Sequence, residues 1–132
     1  MARILWVSNS AWTETGYGCQ TRHLVKAIKG MGHDIAVLGF WGLEGGSLDY
    51  DGVKHFGKHL EGYGNDAVPY LVKKFKADTI ITLIDLWVMH PNHGSLAKWC
   101  PLFPIDHQPI SASVAERFPH CHKLLVYSRF AE

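Results

Sequence analysis

Cysteine is scarce in this chain of 132 residues: Cys19, Cys100 and Cys121 are odd in number, widely spaced and without a C-x-x-C. That pattern suits reduced thiols in a reducing compartment. Cys100 and Cys121 read as packing residues near strands. Cys19, beside a glycine-rich loop, reads either as a small core residue or as a thiol whose pKa a helix N-terminus lowers. Charge is balanced to a formal net +1, and no Lys/Arg run exceeds two residues. The electrostatic footprint of a DNA-, RNA- or anionic-membrane-binding protein is therefore missing. No apolar run approaches the roughly 18 residues of a membrane span, and the first residues lack the basic segment, long apolar core and small-residue cleavage site of a secretory leader. These absences predict a cytoplasmic protein with no nucleic-acid partner and no membrane span.

Several chemical signatures are also missing. Neither the G-x-S-x-G elbow of serine hydrolases nor the G-x-x-x-x-G-K-[ST] phosphate loop occurs. Nine histidines are present, with His90 and His93 three apart, His55 and His59 four apart, and His120-Cys121-His122 in a cluster. None forms H-E-x-x-H or the paired spacing of a structural zinc site, so solvated histidines and no metal site are expected.

What the chain does have is an apolar content of 47% at a length that suits one domain with a real core. Its organising stretch runs from Arg3 to Gln20: an apolar strand at Ile4–Val7, a polar loop, then Gly16-Tyr17-Gly18 opening a segment with helical spacing. Leu24, Ala27, Ile28 and Met31 fall at i, i+3, i+4 and i+7 and so line one face. Gly32 is placed to close that helix. A glycine pair at a helix entrance lets the backbone approach a ligand, and first-turn N–H groups with the helix dipole favour an anion such as phosphate or pyrophosphate. The same pair could instead do no more than shape the loop.

The rest alternates. Ile35–Phe40 reads as a strand covered on both faces, Trp41–Gly52 as a loop with a short hairpin, and Gly52–Phe56 as a brief strand. Asn65 or Asp66 is positioned to cap a helix carrying Val68, Leu71, Val72 and Phe75. Thr79–Ile84 is β-branched and apolar almost throughout and predicts a central strand. A helical turn from His90 towards Trp99, a buried strand at Pro101–Ile105, a short helix at about 111–118 and a last strand at Lys123–Tyr127 complete the series. Strands alternating with helices predict an α/β fold with an open, doubly wound parallel sheet, Rossmann-like and three-layered.

Ligands of such sheets sit beyond the carboxyl ends of the strands, where the strand order reverses. The informative segments there are Asn9 to Gly18 (with Asn9 and Thr15), Phe40 to Gly46, Asp85 to Trp87, Asp106 to His107, and Ser128 to Arg129. An imidazole acts as base or donor near neutral pH, and a carboxylate orients it or binds a sugar hydroxyl. A loop Asp capping the next helix beside a surface His is the plainer account of Asp106 and His107. Trp87 admits either a core position or an apolar platform for a sugar face. A dinucleotide site fits poorly: Thr21 stands at the third glycine of G-x-G-x-x-G, the glycines begin about eight residues past the strand, and Phe40-Trp41 replaces an acidic ribose partner.

Ile4-Leu5-Trp6-Val7-Ser8, Thr15-Gly16-Tyr17-Gly18, His23–Ile28, Gly32–Val37, Phe103–His107 and Val126–Phe130, in this order and spacing, resemble the amino-terminal half of GT-B-fold retaining glycosyltransferases of the glycogen-synthase and sucrose-synthase-like group (family 4 type). The resemblance implies two Rossmann-like domains facing each other across a cleft, the amino-terminal one binding the acceptor. Gly16, Tyr17 and Gly18 would form the donor-phosphate loop, and Asp106 and His107 would be the catalytic residues near the reacting sugar. Asn9, Thr15, Asp85, Trp87, Ser128 and Arg129 would line the acceptor side or the cleft wall. The substrates would be a nucleotide-sugar donor and a hydroxyl acceptor, with no cofactor required. The family's donor-binding second domain has no counterpart in these 132 residues. The expectation is a domain inactive alone, completed by a second domain, a partner chain or self-association across its cleft face. The alternative is a non-catalytic nucleotide- or sugar-binding or scaffold module.

Overall fold

The first strand, β1 (Arg3–Asn9), is buried from Ile4 to Ser8 because it lies in the middle of a sheet with apolar packing on both faces. The computed structural model describes residues 1–104 and 111–126. After β1 come α1 (Gly16–Gly30), β2 (Asp34–Glu44), β3 (Ser47–Tyr50), β4 (Val53–Lys58), α2 (Val68–Phe75), β5 (Thr79–Leu83), α3 (His93–Leu96), β6 (Lys98–Leu102) and α4 (Ala112–Ala115). The six strands form one mixed sheet in the order β3-β4-β2-β1-β5-β6. β1 pairs in parallel with β2 and β5, β2 with β4 and β5 with β6, while β3 runs antiparallel to β4 at one edge. The fold is therefore α/β with a mostly parallel sheet.

Successive side chains of a strand point to opposite faces, and the two apolar clusters follow that rule. Leu5 and Val7 pack with Leu38, Phe40 and the α2 residues Val68, Leu71 and Val72. Ile4 and Trp6 pack with Ile35, Val37 and the α1 residue Val25. Two buried indoles are also satisfied as donors: Trp6 Nε1 donates to Thr21 Oγ1 and Trp99 Nε1 to Thr82 Oγ1, both at 3.1 Å. Among the described residues no helix is long and apolar enough to cross a membrane.

Several local expectations need correction. On α1 the buried positions are Gly18, Thr21 and Val25, whereas Leu24 and Met31 are exposed. The helix docks through Gly18, the Thr21 hydroxyl and Val25, and of the four residues on the expected apolar face only Ile28 packs against the same cluster. Gly32 does close the helix, at φ +95°. β2 continues through Trp41 to Glu44, and the hairpin lies beyond it as β3 and β4. Neither Asn65 nor Asp66 caps α2: its N-cap is Ala67, without a side-chain bond. The Asp66 carboxylate instead accepts the backbone N–H groups of Leu60 and Glu61, at 2.9 and 3.1 Å. Trp99, expected at the end of a helical turn, stands within β6, which opens at Lys98, three residues before the expected strand start at Pro101, and ends at Leu102. Ile105 and Tyr127, the far ends of the two last expected strands, lie outside the described residues, and Leu125 forms an isolated parallel bridge to Leu102.

Candidate functional site

The chain leaves β1 towards β2 and β4 on one side, then crosses back to β5 and β6 on the other. The strand order thus reverses between β1 and β5, and the crevice at their carboxyl ends is where an open α/β sheet holds its ligand. An open cleft of about 500 Å³ lies there, lined by residues including Asn9, Thr15, Tyr17, Trp41, Lys58 and Tyr63. Its size falls within the range of about 300–1,000 Å³ usual for small-molecule sites.

The loop between β1 and α1 is built from short hydrogen bonds. Thr13 Oγ1 donates to the Ser10 carbonyl at 2.7 Å and lies 3.2 Å from Thr15 Oγ1. Since the Thr13 proton is committed, Thr15 is the donor between the two hydroxyls. Thr15 Oγ1 in turn accepts from Gly18 N at 3.0 Å and from Asn9 Nδ2 at 2.7 Å. Its one proton and both lone pairs are used, which makes Thr15 the N-cap of α1. The two glycines have different reasons to be glycine. A Cβ at Gly18 would sit 2.0 Å from Thr13 Oγ1 and 2.5 Å from the Thr13 carbonyl oxygen. A Cβ at Gly16 would meet nothing within 4 Å. Packing demands glycine at 18, and leaves open space at 16 between two residues that line the cleft.

The opposite wall comes from β2, β4 and the chain after them. A register shift between Ser8 and Asn9 pairs Asn9 with Trp41 instead of Phe40, and Ser10 N donates to the Trp41 carbonyl at 2.9 Å. The shift carries the Trp41 ring to the cleft, where it is 61% exposed. Tyr63 packs edge-on against Phe40 with centroids 5.7 Å apart. Lys58 brings a cation to the cleft, with Glu44 3.8 Å away as a distant and exposed counter-ion. An aromatic pair, one ammonium and a helix N-terminus together suit a ligand with an apolar face and an anionic group.

Asn9, Thr15 and Tyr17 thus line one cleft, whereas Gly16 and Gly18 are not among its lining residues. Asp85 joins through Tyr17, whose hydroxyl donates to its Oδ1 at 3.3 Å. Trp87 is 54% exposed, which excludes a core role, but it does not line the cleft. Asp106, His107, Ser128 and Arg129 lie outside the described residues. Cys19 is exposed, so it is not a core residue. Burial raises the pKa of Cys100, and burial together with Cys100 raises that of Cys121 to about 11, so both thiols stay protonated. Trp41 falls in the 40–46 segment that sequence reasoning singled out, but it missed Lys58, two residues past the expected brief strand, and Tyr63, which it placed in a turn.

The described histidines divide into surface and core. His55 and His93 are buried, against the expectation that all are solvated. His93 Nε2 donates to Asn65 Oδ1 at 2.8 Å, and burial, then the neighbouring His90 charge, pushes its pKa down to about 4. Among the described residues no group of three or more His, Cys, Asp or Glu side chains converges on a metal-sized site. Neither a family model nor a curated protein matches the chain.

Proposed function

We propose that this chain is the acceptor-side half of a sugar-nucleotide-dependent glycosyltransferase of the GT-B type, moving a sugar to a hydroxyl acceptor with retention. The observation that carries the reading is the open space at Gly16, on the first turn of α1 and between Thr15 and Tyr17, which line the strand-reversal crevice. A glycine that neither packing nor a positive φ requires, at a capped helix N-terminus, is suited to close approach of a donor diphosphate. Helices α1 and α2 packing with alternate residues of β1 support a doubly wound, three-layer Rossmann-like domain. Trp41 and Tyr63 offer apolar platforms for the acceptor, and Lys58 a cation for an anionic group.

In this reading transfer relies on positioning and on stabilising the departing diphosphate, with no strong protein nucleophile and no obligatory metal. Asp106 and His107 act near the reacting sugar, and Ser128 and Arg129 stand towards the second domain or partner that completes the enzyme. The resemblance in the Thr15–Gly18 loop and around Asp106 and His107 supports these roles. Two experiments test the reading. In the complete transferase, Asp106→Asn and His107→Ala lower turnover by about 10²-fold or more; unchanged turnover removes both residues from the site. In titration calorimetry of the 132-residue chain, a nucleoside diphosphate binds and a nicotinamide dinucleotide does not; the reverse preference indicates an oxidoreductase.

A further inference from the structure

A second pocket lies away from the cleft, between α1 and the β3–β4 hairpin. Arg22, Lys26 and Lys29 of α1 face Tyr50, Asp51 and His55 across it. The three cations recur at helical spacing and meet one carboxylate, so the lining carries excess positive charge. Arg22 Nη1 donates to the Ala11 carbonyl at 3.1 Å, and Lys29 Nζ donates to the Gly52 carbonyl, which bridges the helix to the hairpin. Both keep further N–H donors, since carbonyls neutralise no charge. Lys26, between them, has no partner among the described residues.

His55 supplies the complementary feature. It is 1% exposed and held by rings on two sides, with centroids 5.1 Å from Trp12 and 5.8 Å from Tyr50. Its Nδ1 lies 3.1 Å from the Val53 carbonyl oxygen. A carbonyl only accepts, so Nδ1 carries the proton and Nε2 of the neutral ring presents a lone pair. That Nε2 is buried without a hydrogen-bond partner. A buried acceptor left unpaired costs about 1–3 kcal/mol, which a ligand that donates to it would recover. Burial lowers the His55 pKa and so keeps the ring in its accepting form.

We infer that this pocket binds a small phosphate-type oxyanion carrying an O–H, either inorganic phosphate or the phosphomonoester of a small polyol. The O–H donates to His55 Nε2, and the charged oxygens accept from Lys26 and from the free N–H groups of Arg22 and Lys29. The space, about 70 Å³, is several times the ~10–15 Å³ that one water needs. It suits one tetrahedral oxyanion and is far too small for a nucleotide. The site shares no lining residue with the cleft and does not depend on the glycosyltransferase reading.

Sulfate is the discriminating control, because it matches phosphate in shape but has no O–H at neutral pH. In calorimetric titrations of the 132-residue chain, phosphate binds about tenfold or more tightly than sulfate, and Lys26→Ala, an exposed change that leaves the core intact, weakens phosphate about tenfold. In the unmutated chain, the ¹⁵N resonance of His55 Nε2 moves on phosphate addition from the position of a bare acceptor towards that of a hydrogen-bonded one. Comparison with glycerol 3-phosphate identifies the source: tighter binding of the ester points to a phosphorylated polyol, tighter binding of phosphate to the free ion. No saturable binding of either up to about 10 mM, equal affinity for phosphate and sulfate, or an unmoved Nε2 overturns the proposal.

Discussion

The hydroxyl of Tyr17, on the first turn of α1, donates to Oδ1 of Asp85, just past β5, at 3.3 Å. Sixty-eight residues apart in the chain, the two bridge the point where the strand order reverses. Ser8 Oγ reinforces the bridge by donating to the Leu83 carbonyl at 2.7 Å. A double-mutant cycle of Tyr17→Phe and Asp85→Asn should give a coupling of about 0.5–1 kcal/mol in urea unfolding, the low end for a hydrogen bond because the contact is long. Strict additivity would mean the contact holds nothing together.

The glycine pair should separate stability from binding. Gly18→Ala forces a Cβ into the Thr13 hydroxyl and carbonyl and should cost about 2 kcal/mol or more in chemical denaturation, as overpacking does. Gly16→Ala meets no atom within 4 Å and should leave stability unchanged or raise it by about 0.5 kcal/mol, while weakening nucleoside diphosphate binding. A Gly16→Ala protein of normal stability and normal affinity would remove that residue from the site.

His93 sets an acid limit on the fold. Its pKa falls from 6.5 to about 4 on folding, so the folded state holds the neutral ring and the unfolded state binds the proton first. Stability from this group is complete above pH 6.5 and declines as pH falls towards 4, by about 3 kcal/mol in all at 1.36 kcal/mol per unit. His55, lowered by burial, acts with the same sign. Denaturation midpoints should therefore fall between pH 6.5 and 4, and His93→Gln should flatten that slope, whatever its stability at pH 7.

The docking face of α1 is directly testable. Val25→Ala should cost about 2 kcal/mol, since Val25 is 3% exposed. Leu24→Ala and Met31→Ala should each stay within about 0.5 kcal/mol. Equal losses at all three positions would place the buried face elsewhere.

The strands that carry the sheet were legible because Ile4–Val7, Ile35–Phe40 and Thr79–Leu83 are apolar or β-branched almost without interruption. The face of α1 was not, because it docks through Gly18, the Thr21 hydroxyl and Val25, and a count of apolar periodicity cannot see a hydroxyl that satisfies the Trp6 indole. β6 was misplaced because Pro101 looks like a strand opening, whereas Lys98, Trp99 and Cys100 already pair with Thr79, Ile80 and Ile81. The glycine loop was visible as a motif, but the separate reasons for Gly16 and Gly18 depend on where Thr13 folds. Trp41 was legible as part of the segment just past the second strand, although the register shift after Ser8 that seats it is not local; Lys58 reaches the cleft through the pairing of β4 beside β2, which no local pattern announces. His93 was invisible as a core residue because its partner, Asn65, lies 28 residues away.

The measurement that tests the central claim most directly is a ¹H–¹⁵N titration of the 132-residue chain with a nucleoside diphosphate. The glycosyltransferase reading predicts saturable shifts of the Gly16, Tyr17 and Gly18 amides, together with the Trp41 indole N–H, and their loss in Gly16→Ala. Amides that stay unmoved through saturating ligand, or shifts confined to residues away from the α1 N-terminus, would contradict it.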